Sequence, residues 1–116
     1  MLVEDDADLA ASMVAHLEQD FEIETAGTVE EARLLLGTRK YAAIVSDHML
    51  PGKLQGLDFL MEALERQPAA KRILVTGYLN PDLISRSIAI AELSACLIKP
   101  VPIARLRQEL HIALAI

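Results

Sequence analysis

Four places in the chain set a chemically useful side chain at the end of an apolar run. "LVEDD" ends in Glu4, Asp5 and Asp6, "IVSDHMLPG" carries Asp47, "ILVTGY" carries Thr76, and "LIKP" carries Lys99. Brought together, these would be several acids, one hydroxyl and one ammonium. Clustered carboxylates repel unless a cation or a proton intervenes. Ligand sets made only of oxygen suit a hard divalent ion, and Mg²⁺ is commonly held by one or two carboxylates with waters retained. A carboxylate beside such an ion and an ammonium is a nucleophile toward phosphorus, and the product is an aspartyl phosphate. The metal and Lys99 would offset the charge on the phosphoryl oxygens, and Thr76 would hydrogen-bond one of them.

Each residue alone has a plainer reading. Asp5 and Asp6 would simply cap a helix. Asp47 would be a turn acid before Pro51-Gly52. Thr76 would be a strand-end hydroxyl and Lys99 a solvated lysine. Four independent accidents at the ends of four strands are a poorer account than one site.

The elements that would bring these residues together follow from patterning. Short apolar runs alternate with longer amphipathic stretches. "MLVE", "YAAIVSD", "KRILVTG" and "ACLIK" read as strands, and "FEIETA" as a strand with one more exposed face. The first helix, "DADLAASMVAHLEQD", takes Asp6 as N-cap and an apolar stripe through Leu9, Met13, Ala15 or His16, and Leu17. In the second, Thr28 and Glu31 form a capping-box pattern, and Gly37 suits the C-terminal end. "HMLPGKLQG" is a loop, and the third helix, "LDFLMEALERQ", stops near Pro68. Asn80-Pro81 opens the fourth. Ile103, Leu106, Leu110 and Leu114 stripe the last. Runs that are apolar throughout are the mark of parallel strands covered on both faces. Five strand–helix repeats therefore predict a doubly wound α/β sandwich, and in such sheets ligands bind beyond the carboxyl ends of the strands.

At 116 residues the chain is expected to be one domain spanning 1–116. Its 53% hydrophobic content argues against disorder. A net charge of −6 argues against direct nucleic-acid binding by this domain. No apolar run approaches a membrane span, and Met1 is followed by acids rather than by a secretory leader. One cysteine, Cys96, excludes an intrachain disulfide and fits a reducing, cytoplasmic setting. A first strand starting at Met1 is short for an interior position, so residues upstream are expected to complete it.

Taken in order, "LVEDD", "VSDHMLPG", "GLDFL", "ILVTGY" and "LIKP" resemble the response-regulator receiver domain of two-component signalling, essentially end to end. The resemblance implies a CheY-like (flavodoxin-like) three-layer fold with five parallel strands in the order 2-1-3-4-5. It implies that Asp47 accepts a phosphoryl group from a histidine kinase or a histidine phosphotransfer protein. Asp5 and Asp47 would ligate Mg²⁺, Glu4 would do so through water, and Met49 would supply a backbone carbonyl. Thr76 would swing toward the phosphoryl group, Lys99 would pair with it, and Asp6 would cap the first helix outside the site. A cis bond before Pro100 is implied as well. The output face would be the fourth helix, fifth strand and fifth helix, a surface through which such domains also form homodimers. The domain would catalyse its own phosphorylation and dephosphorylation without being an enzyme on a separate substrate.

The sequence departs from that pattern in places. Cys96 stands where the family usually has an aromatic switch ring, with Tyr78 a candidate to replace part of its role. The loop "PGKLQG" is one residue longer than the common type, and "AELSA" precedes the fifth strand where a small residue, often Gly, is usual. Cys96 keeps open a second reading, a pseudo-receiver that binds proteins without phosphorylation. A third, a small hydrolase of the haloacid-dehalogenase type, would need an acid at Met49. His48 reads as an exposed loop imidazole, His16 and His111 as boundary residues, Cys96 as a small core hydrophobe. Arg105, Arg107 and Glu109 read as a solvated face.

Overall fold

The computed structural model describes residues 1–77 and 80–115. Tyr78, the candidate replacement for the switch ring, lies outside the described residues. Strand–helix alternation holds throughout. The order is β1 (Leu2–Val3), α1 (Ala7–Leu17), β2 (Thr25–Ala26), α2 (Val29–Thr38), β3 (Ala43–Asp47), then α3 (Gly56–Arg66), β4 (Lys71–Thr76), α4 (Pro81–Ala91), β5 (Ala95–Ile98) and α5 (Ile103–Leu114). All pairings are parallel and the sheet order is β2-β1-β3-β4-β5, as the resemblance implied.

Successive strand residues point to opposite faces, so each apolar strand feeds two cores. Val3, Ile44 and Leu74 pack with Val29, Ala32 and Leu36 of α2 and with Phe59, Leu60 and Ala63 of α3. Leu2, Val45, Ile73, Val75 and Leu97 pack with Ala10 and Leu17 of α1 and with Leu106 and Leu110 of α5. Continuous apolar runs in the strands are the cost-free way to serve both layers.

Several caps form as the sequence predicts. The Asp6 carboxylate accepts from the N–H groups of Asp8 and Leu9, each at 3.1 Å. Asn80 does the same for Asp82 and Leu83, with Pro81 at the first helical position. Thr28 accepts from Glu31 N–H at 3.1 Å, but Glu31 reaches back to the N–H of Gly27 rather than to that of Thr28.

Four local expectations are corrected. "FEIETA" contributes only Thr25–Ala26 to the sheet, because β2 is an edge strand whose sole neighbour, β1, is itself two residues long. Gly37 lies inside the last turn of α2, and the cap is Arg39 in extended conformation. The stripe of α1 that packs on the sheet runs through the buried Ala10 and Leu17 and the half-buried Met13 and Val14, leaving Leu9 42% exposed. Finally, the apolar reading of "KRILVTG" missed a buried arginine. Arg72 is 6% exposed, and its guanidinium donates to the carbonyls of Ala91 (2.9 Å), Glu92 (3.1 Å) and Ala70. Its own carbonyl accepts from Ser94 N–H at 2.8 Å. The turn from α4 to β5, where Glu92 adopts φ 45°, is thereby fastened to β4.

Candidate functional site

Parallel pairing in register sets the carboxyl ends of the strands side by side. Asp47 is opposite Val75 on β4, and Thr76 is opposite Ile98 on β5. Backbone bonds tie the segments leaving the sheet: His48 N–H donates to Val75 O (2.9 Å), and Lys99 N–H donates to Thr76 O (2.8 Å). Glu4 follows β1 directly, its N–H bonded to Ala26 O at 2.9 Å. The peptide bond between Lys99 and Pro100 is cis.

This placement brings Asp47, Glu4, Asp5 and Lys99 together. One carboxylate oxygen from each of Glu4, Asp5 and Asp47 lies within 4.8 Å of the others. Asp47 is buried, and its Oδ2 accepts from the Lys99 ammonium at 2.8 Å. Its other oxygen, Oδ1, is buried and accepts no hydrogen bond among the described residues. Glu4 is buried too, with Oε2 held by Asp6 N–H at 3.1 Å. Burial pushes the Glu4 carboxyl above its ordinary range, and the neighbouring Asp47 charge adds to this against the Asp6 N–H. For Lys99, burial works against the charge, but the Asp47 carboxylate, with Glu4 and Asp5, more than offsets it and raises the pKa. The ammonium is thus held charged over the acids.

Asp6 stays outside the cluster as helix cap. Thr76 is 3% exposed and lines a small cavity with His48, Leu83, Ile84, Ser87 and Cys96. Cys96 occupies the strand position expected for the ring, half-buried, its thiol pKa raised by burial. His48 is half-buried against this cavity, deeper than the exposed loop imidazole the sequence suggested. Met49 follows Asp47 by two residues and is 60% exposed. Arg107 is not plainly solvated: it reaches Asp20 Oδ2 at 3.2 Å, as the boundary residue His111 does at 3.3 Å, and the two link α5 to the segment after α1.

The donor set fits a hard divalent cation. It is all oxygen, it concentrates negative charge that Lys99 only partly offsets, and it includes a buried carboxylate oxygen that no donor among the described residues serves. Sequence reasoning passed over two residues around Asp47. Ser46 is fully buried and its hydroxyl donates to Asp47 O at 2.9 Å; Gly56 opens α3 and its N–H donates to His48 O at 2.9 Å. "GLDFL" was the only signal for the glycine.

Comparison with known proteins bears on the family and the fold. Over 100 residues the chain is 30% identical to the hydrogenase transcriptional regulatory protein HoxA of Cupriavidus necator, covering 86% of this chain and 20% of that protein. The chain thus spans about a fifth of the length of that relative. Among solved structures, a CheY-like response regulator receiver domain protein from Methanospirillum hungatei is 28% identical with a TM-score of 0.89, covering 98% of this chain and 90% of that one. The signal receiver domain of an HD domain-containing protein from Pseudomonas fluorescens is 26% identical, also with a TM-score of 0.89, covering 98% and 91%. A family model described as the response regulator receiver domain matches residues 1–111, and the chain belongs to that family of two-component signalling domains.

Proposed function

We propose that Asp47 is the phosphoacceptor of a two-component system and takes its phosphoryl group from a histidine kinase or a histidine phosphotransfer protein. The observation that carries this reading is the division of the Asp47 carboxylate: Oδ2 is bonded to Lys99, while Oδ1 is buried, with no donor among the described residues, beside the acids Glu4 and Asp5. A carboxylate so placed is buried at the carboxyl end of β3 and paired with an ammonium.

Glu4, Asp5, Asp47 and the Met49 carbonyl would hold Mg²⁺. When bound, the ion supplies positive charge against the carboxylates and the phosphoryl oxygens. In the transfer, the bond from an Asp47 oxygen to phosphorus forms as the donor's nitrogen–phosphorus bond breaks, and the imidazole nitrogen keeps the electron pair. Lys99 then stands beside the new phosphoryl oxygens as a charge partner, and Thr76 offers its hydroxyl. The movement of Thr76 is read out on the face of α4, β5 and α5, where Ile90 and Ile98 are 51% and 40% exposed. That face is also where two phosphorylated copies pair. Residues 1–116 act as one receiver unit in the cytoplasm. Its net charge of −6 fits a protein partner rather than nucleic acid, and no helix among the described residues is long and apolar enough to cross a membrane.

Intact-protein mass tests the reading. With Mg²⁺ and acetyl phosphate, the chain is expected to gain one phosphoryl group, and the gain disappears in Asp47→Asn or when Mg²⁺ is chelated. A folded wild type that gains no mass and does not bind beryllofluoride would refute it. Equal sedimentation of the free and beryllofluoride-treated chain at high concentration would count against pairing.

A further inference from the structure

Resting on that reading, we propose that Gly56 and Ser46 are positioning residues for the phosphoacceptor: the first residue of α3 is pressed against the Asp47 peptide and sets the direction in which the carboxylate is presented. A Cβ on Gly56 would fall 1.9 Å from Asp47 O, 2.8 Å from Asp47 C and 2.8 Å from Ser46 Oγ. The first two are backbone atoms of the acceptor itself. Glycine is required here by close approach and not by backbone angle, since the positive-φ glycine among the described residues is Gly52.

The Asp47 carbonyl is consequently held by two neighbouring groups. Gly56 packs on it, and the buried Ser46 hydroxyl, beside that contact, donates to it at 2.9 Å. The N–H of that same peptide, from His48, donates to Val75 O, and the carbonyl of the next, His48 O, accepts from Gly56 N–H, both at 2.9 Å. With the backbone pinned on each side, the Asp47 side chain retains only its own torsions, and the Lys99 ammonium on Oδ2 settles those. The loop that carries Met49 leaves from His48 and returns to Gly56, so the same bond closes it. Inside it, Leu50 N–H donates to Gln55 Oε1 at 3.1 Å, and Gln55 N–H to the Asp58 carboxylate at 2.8 Å. The start of α3 is thus a template for both the acceptor and the loop beside it.

Gly37 is the internal control. It too is helical, but a Cβ there would meet only the far end of the Arg66 side chain, at 3.0 Å. Relieving the contact at Gly56 demands a backbone shift of about 1.5 Å to reach ordinary van der Waals distance. A misplacement of that size at a reacting group costs on the order of 10²-fold in rate.

The experiment compares wild type, Gly56→Ala, Ser46→Ala and Gly37→Ala, each at a temperature where circular dichroism shows it folded. Two quantities are read: the rate of phosphoryl uptake from acetyl phosphate at saturating Mg²⁺, and Mg²⁺ affinity from amide chemical shifts. Gly56→Ala is expected to lose about 10²-fold in rate and to weaken Mg²⁺ binding; Ser46→Ala loses several-fold, and Gly37→Ala matches wild type. A folded Gly56→Ala with wild-type rate and affinity overturns the proposal. If Gly56→Ala does not fold, wild-type values for Ser46→Ala overturn it. Should the wild type itself take up no phosphoryl group, it is the phosphoacceptor reading that fails. Positioning is then judged on Mg²⁺ affinity alone, where no change in either variant overturns it and a fall supports it.

Discussion

Arg72→Met is expected to destabilise the fold from a position outside the acidic site. Methionine keeps most of the volume and removes the guanidinium. Three buried or half-buried carbonyls, those of Ala91, Glu92 and Ala70, then lose their donor. Two of them end α4, where the helix dipole favours a cation. Hydrogen bonds from a charged group contribute roughly 1.5–3 kcal/mol each. Against them stands the cost of desolvating a guanidinium that is only 6% exposed, which the substitution relieves. The net loss expected is about 2–4 kcal/mol, and for a domain of this size that lowers Tm by roughly 8–16 °C. Urea unfolding followed by circular dichroism gives the free energy, and hydrogen exchange at the amides that end α4 shows where it is lost. Arg72→Lys should recover less than half, because one ammonium cannot serve carbonyls spread around a planar fork. An Arg72→Met chain within about 0.5 kcal/mol of wild type, or above it, would refute the reasoning, since desolvation would then cancel the three bonds.

Other outcomes follow from single contacts. Asp6→Ala removes the carboxylate that serves the N–H groups of Asp8 and Leu9, and should cost about 1 kcal/mol in urea unfolding while leaving phosphoryl uptake intact. The Tyr41 hydroxyl donates to Glu24 at 2.8 Å, and burial, with that carboxylate, pushes its pKa up to about 12. Ultraviolet titration should show a phenol ionising near that value, absent in Tyr41→Phe. The folded pKa lies above the ordinary value of 10, so the unfolded chain ionises first and stability falls as pH rises from 10 to 12. Burial also raises the Cys96 thiol pKa, so alkylation at pH 8 should be slower in the native chain than in denaturant.

Local physics made much of this protein legible before any tertiary contact was considered. Caps are formed by residues two or three positions apart, so Asp6 and Asn80-Pro81 could be read directly. Apolar runs broken by amphipathic stretches imply a covered parallel sheet, and that topology alone sends the strand ends to one edge. This is why Asp47, Lys99 and the Glu4–Asp5 pair could be expected together although Lys99 and Asp47 are 52 residues apart.

What the tertiary structure decided depends on partners that spacing does not encode. Gly37 and Gly56 look alike in sequence, yet one faces the flexible end of Arg66 and the other the backbone of Asp47. Arg72 sits in a run that reads as apolar, and two of its three acceptors are carbonyls 19 and 20 residues away that come within reach only once α4 has ended against β4. "FEIETA" has strand character along its length, but an edge strand pairs only where its neighbour does, and β1 offers Leu2 and Val3. Leu9 fits a helical stripe as well as Ala10 does; the rotation of α1 on the sheet buries one and exposes the other. Periodicity names a face, and only packing fixes which way that face turns.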